Sequence, residues 1–203
     1  MLASAQRVGI PQDDLYIACL DDRTYNELIS FKNAFLYKNQ EITDYQNWTY
    51  DENSNFRKIV SNKWPIIASI YNDHKQLCWV DTDVVFVKNP THILSNRLRV
   101  LFQSGTPWID ICSGFMVFND TEVCSQIITE CALDDTADDQ LIINDISKKY
   151  KEYIEILPNA FFPNGYVFYT QGIKNNAYIV HNTHMVGVDT KINAFKSENL
   201  WYL

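Results

Sequence analysis

Two carboxylates stand in a run of residues that should carry none. Asp81 and Asp83 interrupt the apolar stretch that begins Leu77-Cys78-Trp79-Val80 and resumes as Val84-Val85-Phe86-Val87. An unpaired carboxylate in a buried strand is costly, so groups of this kind need a compensating charge. A divalent cation is a natural one. In an extended segment residues two apart point the same way, and this spacing predicts that both carboxylates face one ion. Hard oxygen donors suit Mn²⁺ or Mg²⁺, with water and phosphate oxygens filling the remaining positions. The plainer reading is a strand-ending turn with two solvated acids. Such a turn should lead into polar residues, and Val-Val-Phe-Val is the opposite.

The elements that must position this triplet alternate in type. Residues 2–8 carry a helical pattern, and Leu15 to Leu20 is an apolar run of strand length. Asp21 or Asp22 then caps a helix whose Tyr25, Leu28 and Ile29 share a face. Residues 38–55 are polar and read as a long loop. Residues 56–71 read as a helix, with Pro65 tolerable near its start. The strand bearing the triplet ends at Lys88-Asn89-Pro90, and a second apolar strand spans Ile111 to Phe118. Asp120 is placed to cap a helix over 121–132 with Cys124, Ile128 and Cys131 on one stripe, and Thr136 opens another with Ile143, Ile146 and Tyr150 on one side. Tyr153 to Leu157 and Ala177 to Val180 read as short strands. Strands alternating with helices predict one α/β domain over 1–203, with a mixed, mostly parallel sheet flanked by helices. Ligands of such sheets bind beyond the carboxyl ends of the strands.

The segment Cys78-Trp79-Val80-Asp81-Thr82-Asp83-Val84-Val85-Phe86-Val87-Lys88-Asn89-Pro90 resembles the D-x-D strand of the nucleotide-diphospho-sugar transferases with the GT-A (Rossmann-like) fold. The likeness is closest to glycosyltransferase family 77, and glycosyltransferases encoded by algal viruses look similar in size. Four further motifs follow in the family's order: Ser113 to Phe118, Asp138-Asp139-Gln140 to Asn144, Leu157 to Gly165 with its Phe-Pro-Asn-Gly end, and Val180-His181-Asn182 to Gly187 followed by Lys191 and Trp201. Each is short, but all stand in the expected sequence. The family begins with a strand and a full helix, whereas this chain opens inside a helical pattern, so the first strand is expected to be missing and an upstream segment to precede Met1.

The resemblance implies a metal-dependent transfer of a sugar from a nucleotide-diphosphate sugar, a UDP-sugar first, to a carbohydrate or other hydroxyl acceptor. By that likeness Asp83 binds the metal directly, Asp81 reaches the metal, the ribose or both, and His181 is the third protein ligand, with His184 its rival. Gly187 and Lys191 contact the diphosphate. Asp21, Arg57, Lys63, Thr82, Ser113 and Gly114 belong to donor binding, and Asp139 and Gln140 lie beside the donor sugar as catalytic candidates. Simpler roles compete. Asp21 is placed to cap a helix, Thr136 to Asp139 has capping-box spacing, Arg57 and Lys63 fit exposed helix charge, and Asn164-Gly165 fits a plain turn. Two other classes stay open: a sugar-phosphate nucleotidyltransferase, for which Gly9 alone supplies no glycine-rich phosphate loop, and a nucleotide-sugar-binding domain without turnover.

Composition narrows the partners. The chain is 46% hydrophobic and 14% aromatic, as a folded domain requires, and its net charge of -8 disfavours a nucleic-acid surface. A small anionic substrate remains compatible, because a bound cation reverses the local field. Cys19, Cys78, Cys112, Cys124 and Cys131 form no C-x-x-C pair and read as buried free thiols of a reducing compartment. Asn47-Trp48-Thr49 and Asn119-Asp120-Thr121 are sequons that matter only in a secreted chain. No run of 18 apolar residues is present, so no membrane segment is expected. The expected setting is cytoplasmic, that of a host cell if the chain is viral, or the Golgi lumen if it derives from a membrane-anchored enzyme. A monomer or weak dimer is expected.

Overall fold

The computed structural model describes residues 1–38, 59–94, 98–105, 111–134, 138–183 and 185–202. The predicted loop beyond residue 38, the sequon at Asn47, Arg57, Thr136 and His184 lie outside the described residues. The elements are α1 (Leu2–Arg7), β1 (Ile17–Cys19), α2 (Asp22–Leu28), β2 (Ala34–Leu36), α3 (Lys63–His74), β3 (Leu77–Val80), β4 (Val84–Phe86), α4 (Thr91–Leu94), β5 (Val100–Ser104), β6 (Ile111–Phe118), α5 (Glu122–Leu133), α6 (Asp139–Ile146), β7 (Ile154–Ile156), β8 (Ile179–His181) and α7 (Val188–Ser197). Among the described residues no helix is long and apolar enough to cross a membrane.

The four-stranded sheet has the order β3-β6-β5-β7. β6 pairs antiparallel with β3 and β5, and β5 pairs parallel with β7. Three strands therefore run one way and β6 alone runs against them, which gives the mixed, mostly parallel α/β arrangement expected. β1 and β2 form a parallel pair, and β4 and β8 an antiparallel one. Side chains alternate across the sheet. Phe102, Met116 and Phe118 join Trp64, Ile67, Ile127 and Ile143 in a core under α3, α5 and α6. Leu101, Phe115 and Val117 face the other way, toward Ala5, Val84, Phe86 and Ile179. Both faces are covered, which is why β6 is apolar along its length except at Ser113.

Local chemistry sets the helix ends. Asp21 caps α2, its side chain accepting from the Thr24 amide at 2.8 Å. Pro65 is the third residue of α3, where no intrahelical N–H is needed. Two cap expectations are corrected. Thr121, not Asp120, caps α5, and its hydroxyl accepts from the Cys124 amide at 3.1 Å. Asp138, not a residue of the preceding loop, caps α6 through the amides of Gln140 and Leu141. Asp139 is thereby released from capping.

Three further features differ from the sequence reading. β2 and β5 are strands it did not anticipate. Cys78 is exposed, whereas the other four thiols are buried and all five are free; strand alternation turns Cys78 away from the core. Asn119 is buried, donating to the Arg99 carbonyl at 2.8 Å and accepting from Gln76 at 3.0 Å. Its amide is a structural clamp between β6 and its neighbours, not a presented glycosylation acceptor.

Candidate active site

The long strand expected through the triplet is broken. β3 ends at Val80, and β4 begins at Val84 in a different sheet. Between them the Val84 amide donates to the Asp81 carbonyl at 3.2 Å, closing a tight turn. The Asp81 amide donates to Gly114 O at 2.8 Å, and Asp83 O accepts from the Asn182 amide at 3.0 Å. The turn is thus stitched to β6 on one side and to the exit of β8 on the other. The two carboxylates converge because the chain turns, not because an extended strand aims alternate residues alike. The turn opens on a cleft of about 1610 Å³, lined by the carboxyl end of β3, the amino end of β6, the start of α6 and α7. The antiparallel course of β6 brings its first residues to this edge.

Asp81 faces α3. Lys63 Nζ lies 3.1 Å from Asp81 Oδ1, and Trp79 Nε1 donates to the same oxygen at 2.7 Å. Lys63 also pairs closely with Asp139 Oδ2, which accepts from Ser113 Oγ at 2.6 Å. The Ser113 carbonyl accepts from Lys63 at 3.1 Å. Lys63 is therefore a buried bridge and not an exposed helix charge. Burial works against its ammonium, but Asp81 and Asp139 outweigh burial and hold its pKa above the usual lysine range.

Asp83 faces the C-terminal segment. Its Oδ1 lies 3.3 Å from His181 Nε2, and its Oδ2 lies 2.5 Å from Lys191 Nζ. Burial favours the neutral acid; hydrogen bonding and charge from His181, then Lys191, reverse that and hold Asp83 below the usual carboxylate range. Burial likewise opposes charge on His181, but Cys112 and Asp83 raise its pKa to about 10. His181 lies over β6 at Gly114. A Cβ there would come within 2.2 Å of His181 Cε1 and 2.9 Å of Asp81 Oδ2. Gly114 thus seats two site side chains, and it lines the cleft itself.

One ligand atom each from Asp81, Asp83 and His181 lies within 4.8 Å of the others. Two carboxylates and an imidazole suit Mn²⁺ or Mg²⁺ with open positions left for other oxygens. The residues fit a divalent ion.

The other predicted residues are distributed as follows. Ser113, Asp139, Gln140, Thr82 and Lys191 line the cleft. Gly187, at φ 91°, caps α7 and turns the chain into that helix. Asp21 is not among the residues that line the cleft, and both its oxygens accept from Thr24. Sequence reasoning missed Trp79, Asn182 and Gln103. Gln103 Oε1 meets His181 Nδ1 at 2.7 Å; a lone amide after Val-Leu-Phe carries no signal of that contact.

Comparison with known proteins gives a consistent picture. A glycosyltransferase involved in glycosylation of the major capsid of PBCV-1 superposes with a TM-score of 0.54 at 13% identity, covering 90% of this chain and 97% of that one. The bifunctional glycosyltransferase WbbM superposes with a TM-score of 0.54 at 13% identity over 91% of this chain and 43% of its own. These likenesses concern the fold. In sequence, the chain is 20% identical to the UDP-galactose:fucoside alpha-3-galactosyltransferase of Dictyostelium discoideum over its full length, and spans 40% of that protein. The family model of the nucleotide-diphospho-sugar transferases matches residues 12–195, and the chain belongs to that family.

Proposed function

We propose that this chain is the catalytic domain of a metal-dependent glycosyltransferase that takes a UDP-sugar as donor and a carbohydrate hydroxyl as acceptor. The observation that carries this reading is the convergence of Asp81, Asp83 and His181 on one point at the mouth of the cleft. These three residues hold Mn²⁺ or Mg²⁺. A divalent ion held there would supply positive charge to the departing diphosphate.

The chain's own residues do the rest. Lys191, already 2.5 Å from Asp83, offers its remaining N–H groups to the diphosphate. Gly187 opens the amino end of α7 without a side chain, so backbone N–H groups can approach the same anion. Lys63 and Ser113 brace the cleft wall beside Asp81, and Asp139 and Gln140 on that wall hydrogen-bond sugar hydroxyls and orient the anomeric carbon. In the transfer, the bond from that carbon to the β-phosphate oxygen breaks and its electron pair stays with the nucleoside diphosphate. The acceptor hydroxyl bonds to the carbon and its proton passes to the departing diphosphate or to solvent.

The test is a panel of UDP-sugars incubated with the protein and Mn²⁺, following release of UDP, together with UDP binding by wild type and Asp83→Ala. The expected result is metal-dependent UDP binding and slow hydrolysis of one donor, both lost in Asp83→Ala. Unchanged metal-dependent UDP affinity in Asp83→Ala overturns the site. Binding without turnover of any donor or acceptor would leave a nucleotide-sugar-binding module.

A further inference from the structure

Gln103 is 0% exposed and sits where the pairing of β5 with β6 jumps. Phe102 pairs with Met116, but Gln103 pairs with Cys112. Ser113, Gly114 and Phe115 drop out of that ladder; Gly114 and Phe115 bond to the β3 side instead. Irregularities of this kind re-aim side chains next to functional sites. Here the jump aims the Gln103 amide at the far side of the His181 ring.

The orientation of that amide follows from its partners. One end lies 3.1 Å from Phe162 O and 3.0 Å from Pro163 O. Carbonyl oxygens only accept, so this end is the NH₂ group. The other end is Oε1, which also only accepts, and it lies 2.7 Å from His181 Nδ1. Nδ1 must therefore carry a hydrogen. In the neutral ring Nε2 is then the lone-pair nitrogen, and it is Nε2 that faces Asp83 Oδ1 at 3.3 Å. The alternative neighbour of Nδ1 is Cys112 Sγ, at 3.6 Å. A thiol can donate, which would put the ring hydrogen on Nε2 and spoil that nitrogen as a ligand.

The Phe-Pro-Asn-Gly turn now has a role beyond the plain turn. Its first two carbonyls orient Gln103. Asn164 bridges to His181 in the backbone ladder and donates to the Ser104 carbonyl at 3.0 Å. Gly165 permits close approach, since a Cβ there would lie 2.7 Å from Thr183 O and 3.3 Å from His181 O. The turn packs directly behind the histidine.

We propose that Gln103, oriented by the Phe162 and Pro163 carbonyls, is a positioning residue that fixes His181 as the Nδ1–H tautomer and so presents Nε2 to the divalent cation. This inference rests on the metal-site reading above. Such partners of metal-binding histidines typically change metal affinity roughly ten- to hundred-fold when removed.

The experiment measures Mn²⁺ binding by electron paramagnetic resonance for wild type, Asp83→Ala, Gln103→Leu and Gln103→Asn, with circular dichroism to establish folding. It is paired with ¹⁵N-histidine NMR at saturating Mg²⁺ to read the His181 tautomer. The expected result is an affinity loss of roughly ten- to hundred-fold in Gln103→Leu, with the Nδ1–H signal of His181 shifted as its hydrogen bond to Gln103 is lost. Gln103→Asn, one methylene shorter, moves both readouts in the same direction and serves if the leucine variant does not fold. Folded Gln103 variants that keep wild-type affinity and an unshifted Nδ1–H signal overturn the inference while Asp83→Ala still abolishes binding. Wild type that binds no Mn²⁺ overturns the metal site itself, and this inference with it.

Discussion

Two lysine–aspartate pairs flank the same turn, and they are built differently. Lys63 and Asp139 have side chains only 7% and 8% exposed and come from the first residues of α3 and α6, two helices packed on the sheet. Asp83 and Lys191 are 18% and 28% exposed and come from the turn and from α7. The first pair is a dry brace. It also holds Asp81 and Ser113, and its parts cannot separate without leaving a buried charge. The second pair is open to the cleft and shares Asp83 with His181, so its contacts can be exchanged for those of an ion and a diphosphate. Two aspartates two residues apart in sequence therefore have different partners: Asp81, 31% exposed, is tied to the buried Lys63, and Asp83, 18% exposed, is tied to His181 and Lys191 of the C-terminal segment.

Breaking the brace should have the largest effect. Lys63→Ala leaves Asp81 and Asp139 without their buried cation and should lower stability by about 3–5 kcal/mol in urea unfolding. Lys191→Ala, at the open pair, should lose only about 1 kcal/mol in the same measurement. Equal losses would erase the distinction. Next comes the seat between the two halves. Gly114→Ala forces His181 and Asp81 apart and should lower the thermal midpoint by an amount equivalent to about 1–3 kcal/mol while weakening Mn²⁺ binding. An alanine variant with wild-type Mn²⁺ affinity would show that the contact with His181 yields freely.

The exchangeable side should also answer to pH. His181 is raised from 6.5 to about 10, so the ion-free ring is protonated at neutral pH. That charge contributes stability fully present below pH 6.5 and lost as pH rises through about 10. An ion on Nε2 must expel the proton, so Mn²⁺ affinity should rise with pH between 7 and 9, by about tenfold per unit. Calorimetry in buffers of different ionisation enthalpy should report about one proton released per ion. Affinity flat with pH and no proton release would remove Nε2 from the ligand set.

Much of this was legible before the fold was known, and the misses have physical causes. Asp81 and Asp83 announced themselves because acids in an apolar run need a partner. Their convergence was right, but for the wrong reason: strand alternation was expected and a turn was found. Lys63 and Asp139 carry donor-binding and catalytic readings in the sequence beside those of a helix charge and a cap, but their pairing with each other is not legible, because burial of a helix's first residue depends on what packs over it. Gly114 reads in the sequence as a donor contact and does line the cleft; that a side chain there would collide with a histidine 67 positions away is visible only in the structure. Gln103 gave no signal at all.

By itself, the sequence determined the alternating strands and helices, the apolar strip on each, the acidic triplet and the order of motifs that mark the family. These follow from side-chain type and local period, which act over a few residues. Only the tertiary structure decided which aspartate pairs with the buried lysine of α3 and which with the C-terminal segment. It also decided that a reversed strand brings Ser113 and Gly114 to the site edge, and that Gln103 sets the face of His181. Those properties arise where segments distant in sequence meet in a buried place, where each polar atom must find a partner and each misplaced carbon a clash.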